Sequence, residues 1–284
     1  MLRNVILWVL AVILTVASAV YQRRTGPTYP IEGERDFAGT TVAYSLERSH
    51  GGDGDQEVTV IVPDARVQGH LLYKRHKTRD DWKVIPMKRS GDRLSGFLPH
   101  QPPAGKLEYF VELKAGAKQL LLPEEDGPAV TRFKGAVPEW ILAAHIVVIF
   151  LAMLFSMRGG LEALFRDGNP RGYALWTFAL LAVGGMLLGP VVQKFAFGEY
   201  WTGFPFGKDL TDNKTAFAFL AWLVAVIALW NRNVRYLHPN RRWFAFAASV
   251  VTLVVFLIPH SLWGSELEYT DSAGALPVER VTGR

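Results

Sequence analysis

Two hydrophobic rhythms divide the chain. Five stretches are nearly free of charge: Val5–Val20, Trp140–Met157, Tyr173–Val192, Thr215–Trp230 and Trp243–Trp263. A helix that rises 1.5 Å per residue needs about 20 largely apolar residues to cross the hydrocarbon of a bilayer. The last four stretches are therefore predicted to be spanning helices. Trp140, Tyr173, Trp230, Trp243 and Trp263 stand at their ends, where aromatic side chains favour the membrane–water interface. The first stretch has two readings. Arg3 ahead of it and Ala17-Ser18-Ala19 near its end fit a cleaved signal peptide, whereas Arg23 and Arg24 immediately after it fit an uncleaved anchor. In both readings the residues from Thr28 to Lys134 are exported.

Between the first and second stretches the period drops to two. Val58, Val60 and Val62 alternate with polar residues, as do Leu107, Tyr109, Val111 and Leu113. Alternation of this kind places one face of a strand in a core. Turn-forming clusters separate the runs: Gly51-Gly52-Asp53-Gly54, Ser90-Gly91-Asp92, Pro102-Pro103-Ala104-Gly105 and Ala115-Gly116. Seven or eight strands in about 110 residues match an immunoglobulin-like sandwich. The predicted fold is an α+β membrane protein. Its parts are an anchor or signal peptide at 1–26, an antiparallel β-sandwich at 27–136, a four-helix transmembrane bundle at 137–265 with an outer loop at 193–214, and a tail at 266–284.

Charge sets the orientation. Arg158-Gly-Gly-Leu-Glu-Ala-Leu-Phe-Arg166 with Arg171 joins the second and third stretches, and Asn231–Arg235 through Arg241-Arg242 joins the fourth and fifth. Arginine-rich short connections stay in the cytoplasm. The N-terminus is then inside, and the sandwich, the 193–214 loop and the C-terminus lie outside a bacterial inner membrane. Gly159-Gly160 and Gly168-Asn169-Pro170 read as loop punctuation and Glu162 as a solvated side chain. Gly184-Gly185 and Gly189 read as sites of close helix contact.

The net charge of +5 raises the question of nucleic acid. Many of the arginines lie beside apolar stretches, and no nucleic-acid-binding motif accompanies them, so a nucleic-acid partner is not expected. The absence of cysteine excludes disulfides, thiolate zinc sites, iron–sulfur clusters, covalent c-type haem and Cys nucleophiles. No Walker, Rossmann, H-E-x-x-H or G-x-S-x-G pattern stands in a supporting context, and no catalytic set is assigned. The expected partners are the lipid bilayer and a protein in the membrane or envelope.

Two resemblances add to this. Leu72-Tyr-Lys-Arg75, Asp81-Trp-Lys-Val-Ile-Pro-Met87, Gly91–Pro99 and Gly105-Lys-Leu-Glu-Tyr-Phe-Val111 resemble, in strand order, fibronectin-III-like and early-set immunoglobulin-like accessory modules. The likeness covers about 45 residues and implies a fold, in modules that mostly bind or space other things. Gly189–Thr215 with Ile258-Pro-His-Ser-Leu-Trp-Gly-Ser-Glu266 resembles a family of uncharacterised bacterial multi-pass inner-membrane proteins, which implies no chemistry.

Candidate chemistry gathers near the outer face. Thr211 or Asp212 is placed to cap the fourth spanning helix. The aromatic residues from Phe195 to Phe206 read as a re-entrant or interfacial piece. Glu199, Asp209 and Asp212 with Asn213 crowd oxygen ligands into a short span suited to a divalent cation, though without the glycine and terminal glutamate of an EF-hand. His145 lies about 8 Å below the outer end of its helix, and His260 follows Pro259 in the same leaflet. Ionisable residues at membrane depth mark candidate sites. Paired imidazoles could ligate haem iron or a divalent metal; the alternative is that each hydrogen-bonds a neighbouring carbonyl. His50, His70, His76 and His100 read as solvated or structural. The sequence thus leaves a partner-binding or scaffolding protein and a membrane redox or metal-site protein both open.

Overall fold

The computed structural model describes residues 1–124, 127–230, 240–259, 262, 264–269 and 280–283. Helix α1 (Leu2–Thr25) leads into eleven strands: β1 (Ile31–Phe37), β2 (Thr40–Leu46), β3 (Ser49–Gly51), β4 (Gln56–Ile61), β5 (Gln68–Arg75), β6 (Lys83–Pro86), β7 (Lys88–Ser90), β8 (Arg93–Leu98), β9 (Lys106–Ala115), β10 (Lys118–Leu122) and β11 (Ala129–Lys134). This exceeds the seven or eight expected, because three-residue strands such as β3 and β7 carry no legible alternation. The strands form two sheets, ordered β1-β2-β4-β8-β7 and β3-β11-β9-β5-β6, with β10 also paired to β9. Among the described residues, β11 with β3 is the one parallel pairing in an otherwise antiparallel arrangement.

One core cluster draws on both sheets. Val58 and Val60 of β4 and Leu94 of β8 pack with Leu71 of β5 and with Leu107, Tyr109, Val111 and Leu113 of β9. The four β9 residues are the alternating set seen in the sequence, and all are fully buried. A polar pair also crosses this core: the Thr131 hydroxyl donates to Gln56 Oε1 at 2.7 Å. Burying both partners costs little only because each satisfies the other.

The helices are α2 (Glu139–Ala163), α3 (Arg171–Leu180), a π-helical stretch (Leu181–Leu188), α4 (Gly189–Phe197), α5 (Leu210–Trp230) and α6 (Arg242–Leu257). Among the described residues, four helices are long and apolar enough to cross a membrane: α1, α2, the continuous Arg171–Phe197 unit and α5. Helix α6, the fifth apolar stretch, is shorter at 16 residues. Ile258 precedes Pro259 and takes an extended ψ of 119°, because the proline ring disfavours helical geometry in the residue before it. A short strand pair, β12 (Ser265–Glu268) with β13 (Arg280–Gly283), closes the described chain.

Two expectations are corrected at the end of the bundle away from the sheets. The segment read as a connection from Arg158 is the last turns of α2. Gly159 and Gly160 are helix contact points: an added Cβ at Gly160 meets Ser249 Cβ of α6 at 2.5 Å. Glu162 is not a solvated side chain either. It pairs with Arg158 at 2.6 Å, and Arg158 Nη2 donates to Asn4 Oδ1 at 2.7 Å. Arg158 is 2% exposed and lies over the Tyr173 ring at 4.5 Å. Gly184 and Gly185 behave as expected, packing against Val148 and Ile149 of α2 and against Thr215 of α5.

Candidate functional site

The segment between α4 and α5 is wound around the start of α5. Asp212 Oδ2 accepts from the Thr202 and Gly203 backbone N–H groups at 2.7 and 2.9 Å, and from Gln193 Nε2 of α4 at 3.1 Å. Asn213 Oδ1 accepts from the Phe204 N–H at 2.7 Å. Three consecutive amides of a loop without regular structure thus find side-chain acceptors, which lets Thr202 and Gly203 be buried. The helix cap differs from the one expected. Asp209, not Thr211 or Asp212, caps α5: its Oδ1 accepts from the Thr211 and Asp212 N–H groups at 2.7 and 3.4 Å. The helix begins one residue before Thr211, which leaves Asp212 to turn toward the loop. The aromatic residues at the tip, Tyr200, Phe204 and Phe206, are exposed.

A strap then joins this loop to the sheets. The Thr202 and Ser265 hydroxyls each donate to Asp209 Oδ2 at 3.0 Å, which ties β12 to the acidic pair. One residue on, Glu266 lies 2.8 Å from Lys77 Nζ and 3.6 Å from Lys106 Nζ. The Leu267 N–H donates to the Ala104 carbonyl at 3.1 Å. The Tyr269 hydroxyl accepts from the Lys106 N–H at 2.9 Å. A second link runs from the Gly135 N–H to the Ala196 carbonyl at 3.0 Å. Part of the segment expected as a tail, 266–269, is thus a clamp between bundle and sheets. Burial pushes the Glu266 carboxyl up, but Lys77, Lys106 and His76 outweigh it and hold it below the ordinary carboxylate range. Burial pulls Lys106 down to about 8, with Arg132 adding repulsion and Glu266 opposing it.

Beneath the clamp lies a cavity of about 170 Å³. Its polar end is built by Arg132 of β11, Gln193 of α4, Asp209, Asp212 and Lys214 around the start of α5, and Ser265 of β12. Arg132 is 4% exposed, and its guanidinium lies over the Phe197 ring at 5.2 Å. Burial lowers its pKa, opposed by Asp209 and Glu266. Lys214 Nζ donates to the Ile258 carbonyl at 2.7 Å, and Gln22 Nε2 donates to the Phe256 carbonyl at 2.8 Å. Both satisfy carbonyls that the end of α6 leaves without helical partners.

His145 lines the same cavity. Its Nδ1 lies 3.0 Å from the Gly184 carbonyl, which can only accept, so Nδ1 carries the proton and Nε2 holds the lone pair. Gly184 belongs to the π-helical stretch, and its carbonyl also accepts from the Gly189 N–H. Irregularity of this kind frequently marks functional sites. His260 lies outside the described residues. Glu199 is exposed and stands apart from the hydrogen-bonded group of Asp209 and Asp212. Among the described residues no group of three or more His, Asp or Glu side chains converges as a metal site. His50, His76 and His100 make structural contacts: His76 Nδ1 lies 2.8 Å from Glu108, and His50 and His100 flank Phe133.

Sequence reasoning missed Arg132, Lys214, Gln193, Thr202 and Ser265. In β11 the structure buries Thr131, Arg132 and Phe133 in succession, a break in the strand's period of two that the sequence alone does not show. Comparison with protein-family models and with curated protein sequences found no match to the chain.

Proposed function

We propose that this chain is an integral protein of a bacterial inner membrane and that its function is binding. In this reading the two sheets form an immunoglobulin- or fibronectin-III-like sandwich outside the membrane. Together with the clamp, the sandwich roofs a cavity at the outer end of the bundle and holds a ligand or partner there. The observation that carries it is the convergence of β11, α4, the start of α5 and β12 on one polar site. Hydrogen bonds join α4, the start of α5 and β12, and Arg132 of β11 packs over Phe197 of α4, more than anchoring a domain to a membrane requires. The arginine-bearing end of the bundle, where Arg3 pairs with Asp167 at 2.7 Å and Arg158 is buried, is then cytoplasmic.

The chain lacks cysteine, so single thiols report placement cleanly. Asp53→Cys, in the turn between β3 and β4, is expected to react with a membrane-impermeant maleimide applied to spheroplasts, and Asp167→Cys only after permeabilisation. The reverse pattern overturns the orientation and, with it, the exported roof.

His145 supports a second reading, a membrane redox or metal-site protein. An imidazole whose Nδ1–H is fixed by a carbonyl presents Nε2 with a set orientation, as metal-ligating histidines commonly do. In this reading His145 and His260 hold haem or a divalent cation. An absorption spectrum of the purified chain is expected to show a Soret band if haem is bound; a colourless preparation free of metal removes the reading.

A further inference from the structure

We infer that the cavity takes an amphiphile with an anionic head, a phosphate or carboxylate on an apolar chain, with the head against Arg132. This ligand class rests on the binding function proposed for the chain and makes it specific.

Donors and acceptors are out of balance at the polar end. The carboxylates there are well supplied. Asp212 Oδ2 takes two backbone N–H groups and the Gln193 amide, and Asp209 takes two N–H groups and two hydroxyls. Lys214 donates to the Ile258 carbonyl. Arg132 differs. Its Nη1 is buried and has no hydrogen-bond acceptor among the described residues, although the side chain lines the cavity. A buried guanidinium donor without an acceptor is costly, and guanidinium geometry suits a carboxylate or phosphate. An anionic ligand would supply the acceptor at that place.

The opposite wall sets the rest of the ligand. Ile149, Leu181, Val192, Ala218, Val255 and Phe256 supply its apolar side chains, with His145 and Thr215 among them. A wholly polar anion leaves this wall facing water, and a neutral apolar molecule leaves Nη1 unpaired. A head joined to a chain satisfies both. The volume, about 170 Å³, is close to the roughly 150 Å³ of an apolar cavity that binds benzene. It therefore holds a head and the first carbons of a chain. The cavity also lies where α4 and α6 end and α5 begins, the level at which a lipid changes from chain to head. A lipid head and a free small anion share this chemistry, and the apolar chain distinguishes them.

The test uses the full-length protein in a neutral maltoside detergent, with the rise in thermal unfolding midpoint against added compound read as affinity. Octyl phosphate is compared with 1-octanol and with inorganic phosphate. Octyl phosphate is expected to stabilise saturably, with either half-molecule at least about tenfold weaker. Arg132→Gln is expected to weaken octyl phosphate by about 10- to 100-fold while leaving 1-octanol unchanged. Val192→Trp fills the apolar end and leaves the guanidinium in place, so it serves even if Arg132→Gln does not fold; it is expected to abolish the advantage of octyl phosphate over inorganic phosphate. Equal affinity for octyl phosphate and 1-octanol overturns the anionic head but sustains a binding cavity. Equal affinity for octyl phosphate and inorganic phosphate overturns the chain and leaves a small-anion site. An unchanged octyl phosphate response in either variant overturns the location. No response to any of the three overturns both this inference and the binding function beneath it.

Discussion

Replacing Asp212 with alanine is expected to cost about 3–5 kcal/mol of stability. Among the described residues the carboxylate forms no ion pair within 4 Å; it acts as an acceptor. Its Oδ2 satisfies the Thr202 and Gly203 amides and the Gln193 side chain, and Thr202 and Gly203 are buried. Removing it strands these donors, at about 1–3 kcal/mol for each one left unpaired. The loss is then expected to spread. Thr202 also bridges to Asp209 and Ser265, so freeing the loop releases β12 from the bundle. Asp212→Asn provides the contrast. Its amide oxygen still accepts from the two backbone N–H groups, and about half the loss is expected. Thermal unfolding of the two variants beside the parent chain checks this, and an alanine variant as stable as the parent excludes the network as a structural keystone.

The same network shows what could be read in the sequence and what could not. Asp209 and Asp212 stood out because oxygen side chains crowd a helix start, and both line the cavity. Their cluster read as a cation loop because sequence shows the carboxylates but hides the donors. Those donors are backbone amides of Thr202 and Gly203 and a hydroxyl from Ser265, more than fifty residues away. The sheet core was legible because alternation is a local property: Leu107, Tyr109, Val111 and Leu113 needed no partner to announce their face. Arg132 was not legible. A charge in a strand ordinarily faces water, and only the docking of α4 and the clamp over β11 buries this one. Clamp and cavity alike arise from contacts between segments distant in sequence, and no window of residues contains them.

The arginine-bearing end of the bundle gives the second large effect. Gly160→Leu is expected to destabilise the bundle by about 3 kcal/mol, with little change in the sheets. In sequence Gly159-Gly160 has the look of a turn, because glycine is unfavourable within a helix. Here it lies inside α2, where the missing side chain lets α6 approach. An added Cβ at Gly160 falls 2.3 Å from Ser249 Oγ and 2.5 Å from Ser249 Cβ. Rotating the serine hydroxyl relieves the first contact but not the second, so even alanine separates the helices and leucine acts as a wedge. Small residues at such crossings matter more in lipid than in water, since packing has to supply the attraction that the hydrophobic effect does not. The wedge lies several turns along α2 from His145 and the cavity, yet α6 ends at the Phe256 and Ile258 carbonyls held by Gln22 and Lys214. Tilting α6 about Ser249 is therefore expected to reach the polar end of the site. Unfolding titrations of Gly160→Ala and Gly160→Leu are expected to show a graded loss, with octyl phosphate affinity falling in the same order. Ser249→Ala, which removes the oxygen but keeps the Cβ, is expected to relieve little of the wedge. Full rescue by that second substitution shows that the serine hydroxyl, and not the closeness of the two helices, set the cost.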